Sequence, residues 1–342
     1  MIKNIPKDEL INNPNFKNYF LNSKLHNINL NCNLLSGNFY LDSFNYFPIT
    51  EQDEAFDYLF IRDKKNSSKH FFKKKFHDEF NNQKTLSKEF RNIFVLGSSP
   101  ADNYYSNLIQ FLPRIFFNKE NNIKIAIHRN LSNKFRSFIN EINIKKEISY
   151  TFVYLDDGFY NFKQSLIPQF FETKKSINIL KNLIIPDKKS NFDKKIYVTR
   201  EDSYYRKILN EFDIIKLVRS KGYKVINPRL YSINEQINIF SNAEKIISPH
   251  GSNLSNIIFC KPDTKILELS PPFKEQSAIN FKNRYREIAK LNKLKFTNII
   301  VDTVEVEKHS ELALKYIGKK YLNSSDYYKN LIVKKDDILQ HI

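Results

Sequence analysis

Residues 246–270 constrain the fold more than any other stretch. Two short apolar runs, Ile246-Ile247 and Ile266-Leu267-Glu268-Leu269, read as buried strands, and between them Leu254, Ile257 and Ile258 recur at helical spacing. Strand, helix and strand in so short a span form the repeat of an α/β sheet. The turn into the helix is Pro249-His250-Gly251-Ser252-Asn253. Gly251 permits close backbone approach, and Ser252 or Asn253 can cap the helix. A helix start with free N–H groups, a positive dipole end and a nearby imidazole is an anion site, and phosphate is its usual occupant.

The same alternation recurs on either side. Strands are expected at 92–96, 123–127 and 150–155, with helices at 104–115 and 131–139 between them. A second series opens with a strand at 196–199. The helix over 206–220 turns Leu209, Phe212, Ile215 and Val218 inward and has Gly222 at its C-cap. A strand at 223–226 and a Ser232–Glu235 capping box, opening a helix that runs to Ala243, lead into Ile246. Strands starting at Ile196, Tyr223, Ile246 and Lys265 make a Rossmann-like unit, whose ligands lie at the carboxyl ends of the strands near a switch point. Arg200 closes the first of these strands and Arg206 opens the next helix. Guanidinium groups bind phosphate bidentately; the plainer role for Arg206 is a solvated first helical turn. Residues 27–34 and 37–41 read as two strands, and the polar run 187–195 as a linker. At 342 residues there is room for two domains.

A formal charge of +18 invites a nucleic-acid partner. No nucleic-acid motif accompanies it, and the lysines are spread along the chain together with enriched Asn, Ile, Phe and Tyr, a compositional bias rather than a binding surface. The basic run 62–75, with Phe71 and Phe72 set in it, can seat a protein peripherally on the inner face of a membrane; a solvated loop is the simpler alternative. Neither a secretory signal nor an apolar run of about 18 residues is apparent, so a cytoplasmic protein is expected. Cys32 and Cys260 have neither disulfide-framework nor metal-ligand spacing. No Asp-x-Asp motif occurs, so no metal or other cofactor is expected.

Residues 249–256, with Phe259, Pro262-Asp263-Thr264 and Glu268, resemble the C-terminal signature of glycosyltransferase family 61. A second signature is matched at 103–114, closing on Leu112-Pro113-Arg114, but Ser106, Asn107 and Gln110 stand where the family carries His, Trp and Asp. The resemblance implies an α/β, GT-B-type fold with two Rossmann-like domains facing a central cleft. The expected divisions are an acceptor-side α/β domain at 1–187, a nucleotide-sugar-binding domain at 188–306, and a helical tail at 307–342 that packs back on the first domain. It also implies an inverting glycosyltransferase that moves a sugar from a nucleotide-diphosphate donor, UDP-sugar first, to a saccharide or lipid-linked saccharide acceptor in bacterial surface polysaccharide synthesis. A non-catalytic nucleotide-sugar-binding relative is the alternative, because of the replaced His and Asp. Donor contacts are expected from Arg200, Arg206, His250, Gly251, Ser252, Asn253 and Glu268. His250 is expected to act on the leaving group as well, and Glu268 to accept from ribose hydroxyls or to pair with Lys265. Asp102 is the expected base for the acceptor hydroxyl, with Asp157 second; Asp102 can equally cap the helix beginning at 103 or 104.

Overall fold

The computed structural model describes residues 2–6, 16–23, 28–62, 73–118, 122–145, 147–184, 186, 193–273 and 283–342. Residues 63–72 of the basic run, with both its phenylalanines, and 187–192 of the linker lie outside the described residues. The chain is α/β and divides into two compact units, Met1–Asn182 and Leu183–Ile342.

In the first unit, β1 (Lys3–Asn4) pairs with β5 (Glu54–Ala55). The main sheet contains β2 (Phe16–Ser23), β3 (Ile28–Asp42), β4 (Phe47–Thr50), β6 (Lys88–Arg91), β7 (Ile93–Val95), β8 (Ile123–His128), β9 (Tyr150–Leu155) and β10 (Phe159–Pro168). Its order is β2-β3-β10-β7-β8-β9, with β4 added to β3 and β6 to β10. β7, β8 and β9 are the expected strands, parallel to one another and to β10. The unit is nevertheless not a plain Rossmann repeat, because β2, β3 and β4 pair antiparallel. The two strands expected at 27–34 and 37–41 are one strand, β3, that passes through Gly37. β10, whose Asn161, Lys163 and Gln164 interrupt its apolar pattern, had no clear signal.

The helix expected at 104–115 is wound differently. A π-helical stretch Ser106–Phe111 gives way to a 3-10 segment Leu112–Phe117, where Pro113 lacks the N–H that a continued helix requires. Arg114 is wholly buried there. Its Nε and Nη2 donate to the Pro168 carbonyl (3.0 and 2.6 Å), its Nη1 donates to the Leu96 carbonyl (2.6 Å), and its Cζ lies 4.5 Å from the Phe170 ring centroid. The last arginine of the second signature therefore ties together the carboxyl ends of β7 and β10.

The second unit is built on five parallel strands: β11 (Lys195–Val198), β12 (Lys224–Ile226), β13 (Lys245–Pro249), β14 (Lys265–Ser270) and β15 (Lys295–Ile300). Their order is β12-β11-β13-β14-β15, so successive connections change direction between β11 and β13. That is the switch point, where a crevice opens at the carboxyl ends of the strands. Local signals were followed closely here. Ser232 and Glu235 form the capping box of the helix Ile233–Asn242. Gly222, at φ +79, ends the helix Glu211–Ser220 while Tyr223 N bonds to Val218 O and Gly222 N to Arg219 O, a Schellman closure.

That helix begins at Glu211, not at 206. Leu209 and Phe212, expected inward, are 53% and 70% exposed, and Glu211, Ile214 and Val218 form the buried face instead. In the tail, β16 (Asp302–Val304) pairs with β17 (Asn330–Ile332), and Leu331, Val333 and Ile338 join the core of the second unit with Tyr197, Ile247 and Leu269. No helix among the described residues is long and apolar enough to cross a membrane.

Candidate functional site

β11 leads through Thr199 to Arg200 and β13 leads to His250, so these two residues flank the switch point. The His250 amide donates to the Leu269 carbonyl at 2.7 Å, which holds the residue beside β14. Its Nδ1 meets Oε1 of Glu268 at 2.7 Å. Asn298, opposite Glu268 in register on β15, donates from Nδ2 to Oε2 at 2.6 Å. Glu268 is fully buried with both oxygens engaged. Its side-chain partners are thus His250 and Asn298, and not Lys265.

Arg200 and Arg206 are 8% and 3% exposed. Arg200 Nη2 donates to the Tyr205 carbonyl at 3.2 Å and Arg206 Nη1 to the Tyr327 carbonyl at 3.1 Å. The Arg206 guanidinium also lies over the Tyr327 ring, 4.1 Å from its centroid, and over Tyr205 at 4.8 Å. The Nε of each arginine is buried without a hydrogen-bond partner among the described residues. Among the described residues no carboxylate pairs with either guanidinium.

Arg206 does not stand in a first helical turn; it occupies the left-handed region at φ +57 within a loop. Such a conformation costs on the order of 1–3 kcal/mol in a residue with a side chain and persists only where its surroundings hold it. The tail supplies the hold. Lys207 N donates to Asn330 Oδ1, Leu331 N donates to the Lys207 carbonyl, and the Asn210 side chain bonds both the N–H and the carbonyl of Val333.

Gly251 has φ 176, an extended conformation open to any residue. What it supplies is room: a Cβ at 251 would lie 1.8 Å from Arg200 Nη1 and 2.9 Å from its Cζ. The helix that follows, Ser252–Phe259, is wound as a 3-10 helix with Gly251 at the N-cap position, and no side chain caps it. Ser252 and Asn253, expected as caps, stand half-exposed at its start.

Burial, reinforced by Arg206, lowers Arg200 to about 10. His250 is held well below the ordinary imidazole range, first by burial and then by Arg206, Arg284 and Arg200. Burial lifts Glu268 to about 8, against the pull of Asn298, Arg206 and Arg286. Two buried guanidiniums repel in a medium of low effective dielectric. A third potential donor, Nε2 of His250, is buried beside them without a hydrogen-bond partner among the described residues. The arrangement is chemically suited to an anion.

Three aromatic rings missed in the sequence wall this imidazole: Phe273, Tyr285 and Tyr327, with centroids 5.0, 5.1 and 5.5 Å from it. In a chain with 30 Phe and 19 Tyr they carried no signal. Asn298 did carry one, as a polar residue inside an apolar strand.

Asp102 and Asp157 belong to the first unit. Asp102, at φ +45 after β7, accepts at Oδ1 from Asn107 Nδ2 (2.9 Å) and from Ser132 N (3.2 Å). It thus braces the start of the helix Asn133–Lys145, not the one at 103–104, and burial raises its carboxyl to about 6. Asn107, at the family's Trp position, also accepts from Ser99 N at 2.7 Å. Asp157 pairs with Nε2 of His128 at 3.1 Å. His128 Nδ1 accepts from Asn130 N, so Nε2 is the donor to Asp157. His128 had not been singled out. Among the described residues no group of three His, Cys, Asp or Glu side chains could hold a metal ion.

No curated protein matches the chain. The family model described as Glycosyltransferase 61 matches residues 154–267, a span that holds Arg200, Arg206, His250 and Gly251 and stops one residue before Glu268. The match covers about a third of the chain and supports its membership in glycosyltransferase family 61, a family that implies glycosyl transfer with a sugar donor and an acceptor.

Proposed function

We propose that the protein is an inverting, metal-independent glycosyltransferase of GT-B type that takes its sugar from a nucleoside-diphosphate donor, UDP-sugar first. One observation carries the reading: among the described residues Arg200 and Arg206 are buried without a carboxylate partner, beside a buried imidazole whose Nε2 has none either. A diphosphate supplies the missing negative charge. Its oxygens would accept from Arg200, Arg206 and His250 Nε2, with the first N–H groups of the helix Ser252–Phe259 adding a positive dipole end. As the glycosidic bond breaks, its electron pair stays on the β-phosphate oxygen. Donors already aimed there stabilise that growing charge without reorganisation.

Inversion requires a base to take the acceptor hydroxyl proton from the opposite face of the sugar. Asp102 is our candidate, and its raised carboxyl remains ionised at neutral pH. The acceptor in this reading is a saccharide or lipid-linked saccharide of a bacterial surface polysaccharide, met by the first unit on the cytoplasmic side of the membrane. Ser106 and Gln110, replacing the family's His and Asp, favour a second reading, a binding protein without transferase activity.

Release of nucleoside diphosphate from a panel of nucleotide sugars, with and without oligosaccharide acceptors, separates the two. Turnover of one donor, abolished in His250→Ala, is expected. Binding of UDP without turnover of any donor would leave only the second reading.

A further inference from the structure

The proposed donor site leaves one buried group unused. Glu268 touches no candidate ligand position; it acts on His250, and the 2.7 Å contact between Oε1 and Nδ1 has only a few proton arrangements. In one, the carboxylic acid donates to a neutral ring whose own proton is on Nε2. In another of the same total charge, a carboxylate accepts from Nδ1–H of an imidazolium. A third has lost the proton to solvent. Around the pair stand Arg200, Arg206, Arg284 and Arg286, the rings of Phe273, Tyr285 and Tyr327, and Asn298. Among the described residues every fully charged neighbour of the pair is cationic. Another positive charge on the ring is opposed until an anion arrives, so the first arrangement suits the free protein. The upward shift of Glu268 and the downward shift of His250 both run that way.

On the reading of the site given above, we propose that Glu268 and His250 form a proton store for the donor: Glu268 keeps the proton in the free protein and passes it to His250 when a nucleoside diphosphate binds. The step is balanced. The Oε1–H bond breaks, an Nδ1–H bond forms, and the total charge of the pair stays at zero. The imidazolium then donates through Nε2 to a phosphate oxygen, while Asn298 Nδ2 steadies the new carboxylate at Oε2. Asn298 is itself held by Ser270 Oγ, 3.2 Å from its Oδ1. Glu268 and Asn298 are thus positioning residues, which act through His250.

The consequence is a pH signature. Once the free pair has lost its proton, binding must draw one from solvent, and affinity then falls roughly tenfold per pH unit. For Glu268 the turning point lies near 8. Glu268→Gln keeps the hydrogen bonds, since its amide N–H can donate to Nδ1 while its carbonyl accepts from Asn298, but it has no proton to transfer.

The test is calorimetry of UDP with the full chain, between about pH 7 and about pH 9.5, in buffers of differing ionisation heat. Wild type should take up almost no proton at the low end and about one at the high end, with affinity falling above the turning point. Glu268→Gln should bind roughly ten- to a hundredfold more weakly at the low end, without the slope. A flat wild-type profile, or the same slope in the variant, overturns the proton store while leaving the donor site intact. Failure of wild type to bind UDP at every pH sinks both the donor site and the store. Nitrogen-15 spectra of labelled histidine in wild type provide a check that needs no variant. His250 should carry a proton on Nε2 alone before UDP and on both nitrogens after it; an unchanged ring with UDP bound overturns the proposal.

Discussion

Gly251→Ala isolates the seat of Arg200 from the rest of the site. The backbone at 251 has φ 176 and ψ 165, which alanine adopts without strain. The added methyl instead falls 1.8 Å from Arg200 Nη1, so the guanidinium must leave its place against the turn. Because the displaced group is the end of a flexible side chain, the unfolding free energy should change by no more than about 1 kcal/mol. Ligand binding loses more. A hydrogen bond to a charged group contributes about 1.5–3 kcal/mol, which corresponds to roughly 10- to 150-fold weaker UDP binding. Calorimetry on wild type, Gly251→Ala, Arg200→Gln and the double variant closes a thermodynamic cycle. In the Arg200→Gln background, which lacks the charge, the alanine should cost far less, so the two changes are strongly non-additive. Unchanged affinity in Gly251→Ala, or an equal penalty in both backgrounds, would refute the idea that Gly251 exists to admit Arg200.

Other expectations concern distinct parts of the chain. Arg114→Ala removes a buried side chain that serves two carbonyls and should destabilise the first unit by about 3–5 kcal/mol in denaturant titration; a loss below about 1 kcal/mol would contradict the strut. Asp102 must be ionised to act as a base, so transfer should fall as pH drops through about 6. Asp102→Asn should lower kcat at all pH values while UDP affinity holds, and a fully active variant would remove Asp102 from the reaction. Because fixed cations meet the diphosphate in this account, EDTA should leave UDP affinity unchanged, and a loss restored by a divalent cation would contradict it.

What could be read from the sequence was mostly local. The Ser232–Glu235 capping box, Gly222 and the strand–helix–strand run around His250 depend on neighbours a few residues away, and each was legible. Arg206 was not, because helical periodicity ran on through a loop whose conformation is dictated by residues 327–333. Leu209 and Phe212 were turned the wrong way by the same extension. The protein partners of Glu268 were not legible: strand register sets Asn298 opposite it on β15, and His250 reaches it from just beyond the end of β13. β10 was hidden for a related reason, since its polar residues are accommodated by a bulge opposite β3 that no alternation rule anticipates.

In this reading the buried charges of Arg200 and Arg206, with the Nε2 donor of His250 beside them, await a diphosphate. Titration of UDP into wild type and into Arg206→Gln, followed by calorimetry near neutral pH, tests it most directly. Saturable one-to-one binding in wild type, weakened at least about tenfold in the variant, is the predicted result. No binding by wild type, or equal binding by both proteins, would contradict the account.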